Sequence, residues 1–188
     1  MKLILASASP RRAELLQYVT TDFTVIPSCE EEIVDEPLAH HELVMELARI
    51  KACSVLANHP DAVVIGSDTV VAVDDHILNK PRDREDACDM LRMLSGRSHF
   101  VYTGVCFAAR GGIEQFYSRT EVFFYHLSDE DIARYVDTGE PFDKAGAYGI
   151  QGYGCLLCKR IEGDFFTVMG LPVAEVSKKL ELFKISIE

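Results

Sequence analysis

The stretch DAVVIGSDTVVAVDD, residues 61–75, limits the fold more than any other part of the chain. Valine, isoleucine and alanine fill both sides of a short polar centre, Gly66-Ser67-Asp68-Thr69. An apolar run of this length without alternation suits a strand covered on both faces, as in α/β proteins. The polar centre is expected to interrupt it. Asp68 is the misfit. A carboxylate among buried residues requires a cation, a metal or hydrogen bonds. It is either a strand end satisfied by backbone or part of a functional site, and α/β folds commonly place chemistry at strand ends.

Strand and helix patterns alternate along the rest of the chain. Residues 2–6 read as a first strand and 10–19 as a helix, with Ser9 at the N-cap, Pro10 at the first helical position, and Leu15, Leu16 and Val19 inward. DFTVIPS reads as a second strand and the acidic run CEEEIVDEP as a loop. A long helix follows over 39–58. Asp83 caps a helix that Gly96 ends. Two long strands meet at Gly111-Gly112. Ser128 with Asp131 resembles a capping box for a helix through Val136. The glycine-rich segment DKAGAYGIQG then reads as a loop, a second hairpin is expected around Glu162-Gly163, and GLPVAEVSKKLELF as a closing helix. The fold class is therefore α/β, with a mixed, partly antiparallel sheet flanked by helices.

With 188 residues, one large domain or two small lobes can bury a core. A net charge of −11 argues against a broad nucleic-acid or anionic-membrane surface, though not against a small phosphorylated ligand in a local positive pocket. The apolar part of MKLILASAS is shorter than the roughly 7–15 residues of a signal-peptide core, and no run approaches the ~18 of a membrane span. A cytoplasmic protein is expected. The six cysteines read as buried thiols rather than a disulfide framework. Cys155-Leu-Leu-Cys158 reads as strand, with its thiols on opposite sides.

Further residues resist a purely structural reading. Arg11 and Arg12 fall in a first helical turn, the end that disfavours cations. They are either solvated or hold a phosphate. Lys51 falls within the apolar stripe Val44, Leu47, Ala48 and Val55, so it either snorkels or pairs with an anion. Lys80 and Glu32 carry weight only in company. The chain lacks G-x-x-x-x-G-K-[ST], G-x-G-x-x-G and a G-x-S-x-G elbow. Carboxylates for a divalent cation plus cations for phosphates point to metal-assisted hydrolysis of a phosphate ester or anhydride.

LASASPRRAELL, IGSDTVV, NKPRD, DKAGAYGIQG and GLP, in this order, resemble the motifs of the Maf family of nucleotide pyrophosphatases over essentially the whole chain. The resemblance implies a single ITPase-like α/β domain over 1–188, with two lobes around a nucleotide cleft. It implies hydrolysis of a nucleoside triphosphate to the monophosphate and pyrophosphate with a divalent cation, Mg2+ or Mn2+. By position, Asp68 matches the family's proton acceptor. Ser7, Arg11, Arg12, Lys51 and Lys80 match residues around the triphosphate, and Glu32 with Asp68 the metal side. The family's branches differ at three further points. The branch acting on 7-methyl-GTP carries Trp at Arg11, Gln at Thr69 and Glu at Gln151, so this chain resembles the dTTP/UTP branch. Ile50 departs from the polar residue usual beside the lysine. A nucleoside triphosphate is thus the expected partner, neither nucleic acid nor membrane is, and a homodimer is left open. Modified pyrimidine triphosphates are a neighbouring substrate class. The alternative is a non-catalytic nucleotide-binding regulator of septum formation.

Overall fold

Strand β1 (Lys2–Ala6) is buried from Leu3 onward and carries parallel neighbours on both edges. Leu3 pairs with Phe23 of β2 (Phe23–Val25), and Leu3 also registers with Val63 of β3 (Ala62–Val73). The computed structural model describes residues 2–30, 34 and 37–183. Its further elements are α1 (Pro10–Leu16), α2 (His40–Asn58), β4 (His76–Leu78), α3 (Arg84–Leu94), β5 (Ser98–Ala109), β6 (Gly112–Phe124), α4 (Asp129–Val136), β7 (Cys158–Glu162), α5 (Phe165–Met169) and α6 (Val173–Leu182). The seven-stranded sheet runs β2-β1-β3-β5-β6-β7, with β4 on β3. The pairs β3–β4 and β6–β7 are antiparallel, so the sheet is mixed as expected.

Contacts divide the chain into two compact units. The first takes Met1–Asp68, Thr103–Ser118 and Met169–Glu188. Its core joins Ile4, Ala6, Val64, Cys106 and Ala108 of the sheet to Ala48, Ala52 and Val55 of α2. The second takes Thr69–Tyr102 and Arg119–Val168, with a core of Val71, Leu91, Val101, Phe124, Ile132 and Tyr148.

The structure corrects four expectations. β3 is one continuous strand, not a run broken at its centre. Gly66 is required for contact: a Cβ there would stand 2.1 Å from the Ala48 carbonyl oxygen and 2.9 Å from the Ala52 nitrogen. Both obstacles are helix backbone, so the glycine admits α2 against the strand. α1 ends at Leu16, three residues early, in a turn closed by Val19 N–H to the Leu16 carbonyl. The segment after Gly139 is wound into short 3-10 turns, the last over Gly152–Leu156, so Cys155 lies outside any strand. No hairpin forms at Glu162-Gly163. β7 ends there, and Asp164 starts α5 by accepting the Thr167 N–H at 2.7 Å.

Candidate active site

Two pieces of backbone place the charged groups of the first unit. α2 presents Val44, Ala48, Ala52 and Val55 to the core, and Lys51 shares that side of the helix. Its Nζ lies 2.5 Å from Asp68 Oδ1, and the two side chains are only 13% and 14% exposed. The misfit lysine of the helix and the misfit carboxylate of the strand are therefore one ion pair. Taken largely out of water, each charge depends on the other. Removing one partner of such a pair leaves an uncompensated charge.

The second piece is the segment between β1 and α1. Ser7 is buried, and its Oγ accepts the Ser9 N–H at 3.2 Å. Arg12 donates from Nη1 to the same Oγ at 3.4 Å and from Nε to the Gly170 carbonyl at 2.9 Å. Ser67, next to Asp68 and fully buried, donates its hydroxyl to that carbonyl at 3.0 Å. Ser9 makes no side-chain cap and the first turn of α1 holds no acidic residue. The electronegative carbonyl and hydroxyl oxygens around Arg12 offset the unfavourable end of the helix. Arg11 is half-buried beside it on α1.

Ser7, Arg12, Lys51 and Asp68 thus stand together in the first unit, through direct contacts or through the adjacent Ser67. Thr69, Lys80 and Gln151 belong to the second. Thr69 is half-buried in β3, Lys80 is exposed after β4, and Gln151 is exposed before the last 3-10 turn. Glu32 lies outside the described residues. Ser67 and Gly170 were missed as individual residues. Both lie inside quoted motifs, IGSDTVV and GLP, and that was their only signal.

Among the described residues no three His, Cys, Asp or Glu side chains cluster as a ready-made metal cage. Asp68 is nonetheless a fitting donor for a hard cation of the Mg2+ kind, which commonly takes one or two carboxylates and completes its shell with phosphate oxygens and water.

A family model described as Maf-like protein matches residues 2–183. The chain belongs to the Maf family. Two Maf relatives are the dTTP/UTP pyrophosphatases of Bacillus velezensis and Bacillus cereus. The first is 53% identical over 184 residues, 98% of this chain and 97% of that protein. The second is 45% identical over 186 residues, 99% and 97% of the two. Among solved structures, the Staphylococcus aureus Ham1 protein matches this Maf chain with a TM-score of 0.50 at 16% identity, over 82% of this chain and 78% of that one. That likeness concerns the fold alone. Among the described residues no Maf helix is long and apolar enough to cross a membrane.

Proposed function

We propose that this protein hydrolyses dTTP and UTP to the nucleoside monophosphate and pyrophosphate. The observation that carries the reading is the Lys51–Asp68 pair, which sets the carboxylate of the IGSDTVV motif beside a lysine within the residues that the Maf-like model matches. The names of the relatives supply the substrate class.

Water attacks the α-phosphorus, a new P–O bond forms, and the bond from that phosphorus to the bridging oxygen breaks. Asp68 Oδ1 accepts from Lys51, so Oδ2 is the atom assigned to orient the water and take its proton. Arg11, Arg12, Lys51 and Lys80 are assigned to the charge that grows on the departing pyrophosphate. Ser7 and the Gly170 carbonyl hold Arg12 in a fixed orientation, so less rotamer freedom is lost when phosphate binds. A divalent cation held by Asp68 and Glu32 would neutralise phosphate charge when bound. Thr69 and Gln151 are assigned to the base. A glutamine amide can accept from the N3–H of uracil or thymine and donate to its O4, whereas an ionised glutamate can only accept.

The test is pyrophosphate release from UTP, dTTP, CTP and modified pyrimidine triphosphates at equal concentration, with Mg2+ or Mn2+. Turnover concentrated on UTP and dTTP is expected. Tight UTP binding without turnover would overturn the reading in favour of a nucleotide-binding regulator.

A further inference from the structure

We propose that Glu140 is the positioning residue that fixes one arm of the turn carrying Gln151, that Tyr135 fixes the other arm, and that the two residues thereby determine how the base is held. The proposal rests on the reading above that Gln151 meets the base.

Gln151 is exposed, on a turn with no strand to hold it. A long side chain in that setting loses freedom on binding unless its backbone is fixed beforehand. Glu140 fixes it from one side. Its Oε1 accepts the Tyr153 N–H at 3.0 Å and its Oε2 the Gly154 N–H at 3.3 Å. The intervening Gly152 has φ +61°, and a Cβ there would stand 2.3 Å from Glu140 Oε1. Only glycine leaves room for this carboxylate.

Tyr135, buried on α4, holds the other side: its hydroxyl oxygen accepts the Gly149 N–H at 3.0 Å. The Glu140 carboxylate, after burial, helps to raise the pKa of this phenol. Burial is the main cause of that rise, so the phenol keeps its proton. The two arms of the turn also touch, because a Cβ on Gly154 would fall 2.0 Å from the Gly149 carbonyl oxygen. Gln151 is therefore flanked, two residues before and two and three after, by backbone N–H groups held by Tyr135 on one side and Glu140 on the other. Neither residue is assigned to the phosphates, so their loss should be felt by the base alone.

The test compares Glu140→Gln, Tyr135→Phe and Gln151→Ala with wild type, in the metal-loaded enzyme. Two constants are read: KM for UTP, and the inhibition constant of pyrophosphate, which has no base. In Glu140→Gln one carboxylate oxygen becomes an NH2 that faces a backbone N–H. KM for UTP is expected to rise about tenfold, with kcat changed less than about twofold and pyrophosphate inhibition unmoved. Tyr135→Phe is expected to raise KM about threefold by the same split, and it carries the test if Glu140→Gln does not fold. An unchanged KM, or KM and pyrophosphate inhibition moving together, would overturn the proposal. Gln151→Ala separates the two levels. If it leaves KM for UTP unchanged, Gln151 does not read the base, and this proposal falls with that reading. If it raises KM while the other variants do not, the reading stands and the proposal alone fails.

Discussion

The ion pair of the first unit and the ring pair of the second bury polar groups in opposite ways. The first unit keeps charge in its interior: the Lys51–Asp68 pair and the Arg12 guanidinium against Ser7 and Gly170. In the second, the most deeply buried titratable pair, His99 and Tyr148, is neutral. His99 Nε2 meets the Tyr148 hydroxyl at 2.7 Å, and its ring packs edge-on against Phe124 and Tyr148. Burial pushes the His99 pKa down to about 3 and that of Tyr148 well up, so both are uncharged at neutral pH. A half-desolvated charge attracts a polyanion strongly because water screens it poorly. A neutral network holds a backbone in place without adding to that field. The difference therefore separates a charged pair suited to phosphate chemistry from a neutral pair suited to shape.

Asp68→Asn should break this contrast most severely. The amide nearly matches the carboxylate in size but cannot take a proton, and it leaves Lys51 beside a neutral group. Turnover of UTP is expected to fall by about 10²–10⁴, the usual contribution of a general base, with the circular dichroism spectrum retained. Activity near wild type would remove Asp68 from the mechanism.

Arg12→Ala comes next. Losing a charge-assisted contact to phosphate should weaken UTP binding by about 1.5–3 kcal/mol and flatten its dependence on salt. A salt titration of UTP affinity that superimposes on wild type would show that the phosphate does not use this guanidinium.

The smallest effect sharpens the contrast from the second unit. His99 ordinarily titrates at 6.5 but only near 3 when folded, so between these values the unfolded chain binds the extra proton. Stability should then rise with pH across this window and be lost as pH falls below 6.5. The contribution is about 1.4 kcal/mol per pH unit, or about 2 kcal/mol between pH 6.5 and 5. Denaturant titrations at these pH values should show a shallower acid slope in His99→Phe than in wild type. Equal slopes would mean that His99 opens to water before it charges.

The charged cluster of the candidate site in the first unit was legible because chemistry leaves residues where packing would not. Lys51 interrupts an apolar stripe and Asp68 interrupts an apolar run, and the two interruptions prove to be one ion pair. Strand and helix order followed from periodicity, including the Ser128 cap, whose Oγ accepts the Asp131 N–H at 3.1 Å. What failed was whatever depends on an unseen neighbour. Gly66 reads as a break when only the strand is considered, but it is a clearance for the backbone of α2. Tyr135 and Glu140 look like ordinary helix and loop residues, because their partners lie 13 or 14 positions along the chain at Gly149, Tyr153 and Gly154. Ser67 and Gly170 meet across 103 positions, and local pattern carries no trace of such a contact.

The continuity of β3 also constrains how this chain can vary over evolutionary time. Its residues pair in register with β1 from Ala62 to Gly66 and with β4 from Val71 to Val73, and Asp68 and Thr69 lie between those ladders. Loss or gain of a single codon there would turn every later side chain of the strand to the opposite face. Asp68 and Thr69 can therefore be exchanged by substitution, but the spacing that holds them cannot drift. Length changes are left to places such as the Arg110-Gly111 turn, where a Cβ on Gly111 would meet nothing within 4 Å.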